Sequence, residues 1–449
     1  MRFRASDVAA ATGGRLHGPD VAIDGVCFDS RALQPVQLFV PLVAERDGHE
    51  FIGEAMHRGA AAYLTSRPTG TVSGTAIEVP DTLRALMALA ALLRGRLDGP
   101  VIGITGSVGK TSTKDLAWAA LAASRRTWAN ERSFNNEQGL PTTLLNTPDD
   151  TEVLVLEMGM RGHGEIAELC RIARPTLGVV TRVAEAHSDR VGGIEGVARA
   201  KGELVESLPP TGVAILNYDD IRVRAMAERT SAAIVYYGES ADSAVHVRVS
   251  QVRLDDIARP TFALDTPWGS ATVHLGVSGR HMVHNAAAAL ACVGAVGGDL
   301  LAGAAALSDV GMTSMRMEIQ RTAAGATILN DSYNANPTSM RAALDALAVL
   351  PASRRVAVLG LMAEIADAEA EHRSIVAYAR GHGIEVLAVG TDLYGLTPVT
   401  DAVAALGSLA GGDAVLVKGS RVVGLERVAA ALLLDPSVDA LDIAPPRQP

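Results

Sequence analysis

Residues 101–112 read Val101-Ile-Gly-Ile-Thr-Gly-Ser-Val-Gly-Lys-Thr-Ser112, and few folds accommodate that segment. The β-branched run Val101, Ile102 and Ile104 predicts a short strand, glycines follow, and Gly109-Lys110-Thr111-Ser112 opens a predicted helix. The arrangement suits a nucleoside triphosphate. Glycines let backbone N–H groups close on phosphate oxygens, the helix N-terminus favours an anion, Lys110 reaches the outer phosphates and Thr111 can ligate Mg²⁺. The strict pattern G-x-x-x-x-G-K-[ST] asks for Gly at 104, where Ile104 stands. The loop is therefore a close variant running Thr105, Gly106, Ser107, Val108, Gly109, Lys110, Thr111 and Ser112. A chance glycine-rich turn is the plain alternative, and the flanking strand and helix favour ATP.

The alternation continues beyond the loop. Strands are predicted at 153–157, 177–181, 213–217 and 233–237 with helices between them, which calls for a mostly parallel, doubly wound sheet covered on both faces. Residues 244–276 read as shorter strands in an antiparallel annex, and 282–296 as an Ala-rich helix. A third unit begins near 311, with strands at 326–330, 355–359, 385–389 and 414–418. Its helices are predicted at 338–350, 369–380, 400–410 and 421–434. This is a Rossmann-like pattern lacking the G-x-G-x-x-G turn, so the fold alone licenses no dinucleotide there. Before the loop, a smaller α/β unit has strands at 38–42 and 61–65 and helices at 50–59 and 83–97, closed by Asp98-Gly-Pro100. A chain of 449 residues is too long for one core. The expected division is therefore α/β in three domains, 1–98, 99–311 and 312–449.

A net charge of −10 argues against nucleic acid as the main partner. The three cysteines, Cys27, Cys170 and Cys292, stand far apart in no metal-like spacing and fit a reducing compartment. The N-terminal residues lack the apolar core of a signal peptide, and the longest apolar run, 286–298, is too short to span a bilayer. A cytoplasmic location without membrane insertion is expected, with a disordered Pro-rich tail at 444–449.

Glu157 ends the apolar strand at 153–157. If that strand neighbours the loop strand, its carboxylate points at the Mg²⁺ of bound ATP; otherwise it is an ordinary polar residue at a strand exit. His187 follows another strand exit at the same edge of the sheet, as a site residue or a solvated loop histidine. Lys201 falls on the stripe Ile194, Val197, Lys201, Leu204 and Leu208, which is otherwise apolar. A lysine there must snorkel, pair with an acid or lose its proton. In the third unit, Asn330-Asp-Ser-Tyr-Asn-Ala-Asn-Pro337 crowds hydrogen-bonding groups at a strand exit, either as a site or as an Asx-rich turn. Lys418-Gly-Ser-Arg421 sits between a strand and a helix, and would suit an anion.

Taken together, these residues resemble the Mur ligase family over nearly the whole chain. The resemblance rests on the loop, Asn135-Asn-Glu-Gln-Gly-Leu-Pro141, Glu157-Met-Gly159, His187, Ala200-Lys-Gly-Glu203 and Gly279-Arg-His-Met-Val-His-Asn285. Arg316-Met-Glu318, Gly360-Leu-Met-Ala-Glu364 and Lys418-Gly-Ser-Arg421 continue it in the third unit. The run Tyr333-Asn-Ala-Asn-Pro337 resembles the branch that adds a dipeptide, where the branch adding diaminopimelate or lysine carries Asp-Asn-Pro-Arg. Met315 stands where the family usually has Gly. The resemblance implies ATP-driven joining of D-alanyl-D-alanine to UDP-N-acetylmuramoyl-tripeptide through an acyl phosphate, in a monomer. It implies that Ser30, Arg31, Asp47, Gly48, His49, Asn135 and Asn136 bind the acceptor. Asn285, Arg316 and Asp331 would contact adenine and ribose, and Tyr333, Asn334 and Asn336 would receive the dipeptide. Thr111 and Glu157 would hold one Mg²⁺, and His187 with a carbamylated Lys201 a second. A folylpolyglutamate-synthase-like ligase shares loop and fold but is not expected to carry the first domain. A P-loop kinase or ATP-driven switch would need no amine-binding unit.

Overall fold

The computed structural model describes residues 1–69, 73–131, 134–184, 191–363, 365 and 367–434. A nine-stranded central sheet carries the nucleotide loop. Its order is Gly269–His274, Pro260–Thr266, Val247–Leu254, Ala233–Gly238, Val213–Asn217, Leu177–Val180, Val101–Thr105, Val153–Glu157 and Thr127–Ala129. Neighbours run parallel from Thr127–Ala129 to Val247–Leu254, and only the last two pairings are antiparallel. The expected annex is thus an extension of the same sheet, entered through a parallel pairing of Tyr237 with Val247. Thr127–Ala129 was not expected as a strand, because only three residues pair and they are partly exposed at the sheet's edge.

The loop strand lies between Val153–Glu157 and Leu177–Val180, with Glu157 opposite Ile104 and Val180 opposite Thr105. Their carboxyl ends are therefore level, and whatever leaves each strand meets at the loop. Alternate side chains go to opposite faces. Ile102 and Ile104 join a core with Leu116, Ala117 and Val283 from the helices Lys110–Ala122 and Met282–Ala295. Val101, Leu154 and Leu156 join another with Ile166, Leu169 and Leu204 from the helices Glu165–Ala173 and Gly193–Glu206. That second core also takes in Leu86 and Leu89 of the N-terminal helix Thr82–Leu93, which seats the first unit on the central sheet.

The N-terminal sheet has five strands in the order Arg15–His17, Thr75–Glu78, Ala62–Thr65, Leu38–Phe39 and Val26–Cys27. The strand expected at 38–42 stops at Phe39; Val40 still donates to the Cys27 carbonyl (2.9 Å), and Pro41 has no N–H to continue. The third sheet runs Glu318–Arg321, Thr327–Asn330, Asp413–Lys418, Arg354–Leu359 and Glu385–Ala388. Glu318–Arg321 is an antiparallel edge that the β–α pattern did not announce. Gly407 (φ 69°) and Gly424 (φ 70°) cut the helices expected at 400–410 and 421–434 down to Ala402–Leu406 and Glu426–Leu433.

Between the second and third units, Thr313 donates its N–H (2.9 Å) and hydroxyl (2.8 Å) to one oxygen of Asp115 on the loop helix. Met315 (φ 64°) and Met317 (φ 51°) then turn the chain through the left-handed region on either side of Arg316. One apolar cluster continues across this junction, from Met282 through Met317 and Ala335 to Met340 and Leu344. Among the described residues, no helix is long and apolar enough to cross a membrane.

Candidate active site

The loop is held open by its neighbours. Ser107 donates its N–H to the Arg182 carbonyl (2.7 Å) and its hydroxyl to the Ala184 carbonyl (2.8 Å), and Thr181 Oγ1 donates to the Val108 carbonyl (2.6 Å). Thr105 Oγ1 donates to the Met158 carbonyl (2.9 Å). The segments leaving both flanking strands therefore shape the loop. Two glycines are obligatory. A Cβ at Gly106 would lie 1.8 Å from Thr181 Oγ1, and one at Gly109 (φ 82°) would lie 2.6 Å from Asn285 Oδ1. The helix starts at Lys110, immediately after Gly109, and Lys110 Nζ folds back onto the Gly106 carbonyl (2.8 Å). Burial and Arg316 lower the Lys110 pKa, while Glu157 opposes them.

Glu157 is buried beside the loop. One of its oxygens accepts from the Thr111 hydroxyl (2.7 Å) and the other from Asn135 Nδ2 (2.7 Å), while its backbone N–H donates to Asn130 Oδ1 (2.8 Å). Asn130 also anchors Lys114 Nζ through its carbonyl (2.8 Å). Asn130 was not expected at the site; its one sequence signal is that it follows the short strand Thr127–Ala129 directly. Lys201 is buried as its stripe demanded and lines the same cavity as Lys110 and Glu157. Burial, and then the positive Lys110, drive its pKa well below that of an ordinary lysine, with Glu157 opposing. Among the described residues its amine makes no hydrogen bond and faces the cavity. His187 lies outside the described residues.

The cavity, about 1430 Å³, also reaches the third unit. Asn285 and Ser112 lie on its loop side, and Arg316, Asp331, Tyr333, Asn334 and Asn336 on the other. The Arg316 guanidinium stacks 4.2 Å above the Tyr333 ring, while its Nε is buried without a partner. Asp331 accepts from Lys418 Nζ (2.5 Å) and from the Met317 N–H (3.2 Å). Lys418 also bonds the Asn334 carbonyl (2.9 Å), so the Lys418-Gly-Ser-Arg421 cation is already neutralised. Asn334 Oδ1 turns back to the Ala335 N–H (2.9 Å), and Asn336 caps the helix Pro337–Val349 through the Ser339 N–H (2.9 Å). The loop thus holds Asx-turn and capping bonds while its residues line the cavity. Nearby, His281 lines the cavity with an unpartnered Nδ1, its pKa lowered by burial to about 4, so the ring is neutral at pH 7.

The expected acceptor residues divide. Asn135 and Asn136 line the cavity. Ser30, Arg31, Asp47, Gly48 and His49 stand apart, in two clusters on the N-terminal sheet. Arg31 grips both oxygens of Asp29 (2.9 and 2.8 Å), and Ser30 donates to Glu54 (3.2 Å). Asp47 accepts from the His49 N–H (2.9 Å), meets its Nδ1 (2.6 Å) and pairs with Arg67, while His49 Nε2 accepts from the Ser66 N–H (3.0 Å). A Cβ at Gly48 would lie 2.6 Å from the Leu42 nitrogen, so the tight turn needs glycine. Phe28, packed against Phe134 with ring centroids 5.8 Å apart, carries the first unit to the cavity's rim.

Residues 104–293 match the Mur ligase middle domain, and residues 315–421 match the Mur ligase, glutamate ligase domain. The UDP-N-acetylmuramoyl-tripeptide–D-alanyl-D-alanine ligase of Mycobacterium tuberculosis is 39% identical over 91% of this chain and 92% of its own length. The structure superposes on crystal structure I of MurF from Acinetobacter baumannii with a TM-score of 0.86 and 28% identity, covering 96% of this chain and 99% of that one. MurF ligase from Thermotoga maritima, solved in complex with ADP, superposes with a TM-score of 0.79 and 26% identity, covering 91% and 96%.

Proposed function

The chain belongs to the Mur ligase family, and on that premise we propose that it joins D-alanyl-D-alanine to UDP-N-acetylmuramoyl-tripeptide. It is an ATP-dependent ligase of peptidoglycan precursor synthesis. The observation that carries the reading is that one cavity opens on both the nucleotide loop and the Tyr333-Asn-Ala-Asn336 turn. ATP phosphorylates the tripeptide's terminal carboxylate, giving ADP and an acyl phosphate. The dipeptide amine then attacks the acyl carbon, the C–O bond to phosphate breaks, and the amine gives up a proton. Lys110 and the loop N–H groups offset charge on the phosphates through both steps. Asn285, Arg316 and Asp331 face the nucleotide's base and ribose. Asn135 and Asn136 hold the acceptor's peptide end, while Ser30, Arg31, Asp47, Gly48 and His49 serve its UDP end. Tyr333, Asn334 and Asn336 receive the dipeptide.

The Thr111 hydroxyl and Glu157 carboxylate are hard oxygen donors meeting at one point, which fits Mg²⁺. A bound ion there supplies positive charge against the phosphate oxygens. Lys201 fits the same logic. Burial favours its neutral form, which can take up CO₂, forming an N–C bond and releasing a proton, and the resulting carbamate is an anionic oxygen ligand. With His187 it would hold a second Mg²⁺. The three domains fall at 1–98, 99–311 and 312–449, in a cytoplasmic monomer.

Product analysis tests the reading. From ATP, UDP-N-acetylmuramoyl-tripeptide and D-alanyl-D-alanine, equal amounts of ADP, phosphate and one new amide are expected. A stable phosphorylated product would instead indicate a kinase, and ATP turnover without a new bond a switch.

A further inference from the structure

We propose that Arg341 anchors the free carboxylate of the incoming dipeptide. This rests on the reading above and adds what recognises the end of the dipeptide that does not react. The helix Pro337–Val349 begins at the Tyr333-Asn-Ala-Asn336 turn and presents Thr338, Arg341, Ala342, Asp345, Ala346 and Val349 to the cavity. Those positions recur at three and four residues, so one helix face forms a wall leading outward from the turn.

Among the described residues, three cations of the third unit line the cavity: Arg316, Lys418 and Arg341. Lys418 is locked on Asp331, and Arg316 is stacked on Tyr333. Among the described residues Arg341 commits only Nη2, which donates to Ser374 Oγ (2.8 Å) and at longer range to Glu371 Oε2 (3.4 Å). Both partners stand on the neighbouring helix Ala368–Gly381 and fix the guanidinium, leaving Nε and Nη1 to a ligand. Asp345, the acid on the same face, is occupied by the Tyr378 hydroxyl (2.5 Å).

The dimensions agree. An extended dipeptide separates its amine from its carboxylate by about 7 Å. The five helical steps from Asn336 to Arg341 rise about 7.5 Å. An amine received at the turn therefore sets the carboxylate level with Arg341. Ala342 and Ala346 line the cavity on the same helix face. A guanidinium fork takes a carboxylate by two parallel charge-assisted bonds, which a neutral amide cannot accept.

The test compares D-alanyl-D-alanine with its C-terminal amide in the full-length enzyme, with ATP and UDP-N-acetylmuramoyl-tripeptide saturating. The native enzyme should prefer the acid by about 30-fold in kcat/KM. Arg341→Met should raise the KM for the acid by a similar factor and abolish the preference. The KM values for ATP and acceptor should stay unchanged, which also reports that the variant is folded. Ser374→Ala, which frees the fork without removing it, should raise the acid's KM about threefold and leave the amide's unchanged. A preference that survives in Arg341→Met, or a loss shared equally by acid and amide, overturns the anchor while the ligase reading stands. No amide bond from either dipeptide in the native enzyme would overturn both.

Discussion

The nucleotide loop and the Tyr333-Asn-Ala-Asn336 turn both leave the carboxyl end of a strand in a parallel ladder, yet they are built in opposite ways. In the loop, neighbouring side chains hold a bare backbone. Ser107 and Thr181 brace it, Gly106 and Gly109 admit no Cβ, and Glu157 waits with both oxygens already engaged. In the turn, the side chains hold themselves. Asn334 folds onto Ala335, Asn336 caps its helix, and Asp331 ties up Lys418. A phosphate chain can be gripped by a rigid surface of N–H groups, whereas the dipeptide proposed to bind at the turn must exchange such local bonds for its own. The difference teaches that the first site is preorganised by backbone and the second by bonds that binding can replace.

The largest effect should come from the rigid side. Lys110→Met is expected to cost about 10³-fold in kcat with little change in the KM for the dipeptide, because its charge acts on the transferring phosphoryl group; steady-state kinetics with each substrate varied would show it. Lys201→Ala should cost about 10²-fold, and acetate or formate should restore part of the rate by replacing the proposed carbamate. Lys201 also sets a pH dependence of stability. Burial lowers its pKa in the folded chain below that of the unfolded chain, so the unfolded state binds more protons and stability rises with pH up to the ordinary lysine value of 10.5. Lys201→Leu should flatten that rise in CO₂-free thermal melts. Next comes Gly109→Ala, with about 1–2 kcal/mol of backbone strain in addition to the clash with Asn285; loss of ADP affinity without loss of fold is the expected calorimetric result. The smallest effect belongs to the turn. Asn336→Ala should cost about 1 kcal/mol of stability through the lost cap and raise the dipeptide KM, leaving ADP binding alone. A melting temperature equal to the native value would mean that the cap is not what holds the turn.

What the sequence revealed follows the same division. The loop, the place of Glu157 beside it and the burial of Lys201 were legible because they depend on spacing along single elements: a strand feeding a helix, an acid after an apolar run, a lysine on a stripe. Asn130 and Asp115 were not, since each matters only through a partner brought by another element, Glu157 and Thr313. The same holds for Arg341, whose distance from the turn becomes meaningful only once the helix faces the cavity. The edge strands Thr127–Ala129 and Glu318–Arg321 were too short and too polar to show periodicity. The alternation at 244–276 marked strands correctly but could not tell which neighbour they would join. Asn336 was named as a candidate dipeptide contact, and its task as a helix cap shows only in the structure.

The central claim is that both loops act on one carboxylate in one cavity. Transfer of ¹⁸O tests it most directly, using UDP-N-acetylmuramoyl-tripeptide labelled in its terminal carboxylate and mass spectrometry of the released phosphate. One labelled oxygen in phosphate for every amide formed is the predicted result. Unlabelled phosphate accompanying full amide formation would contradict the claim.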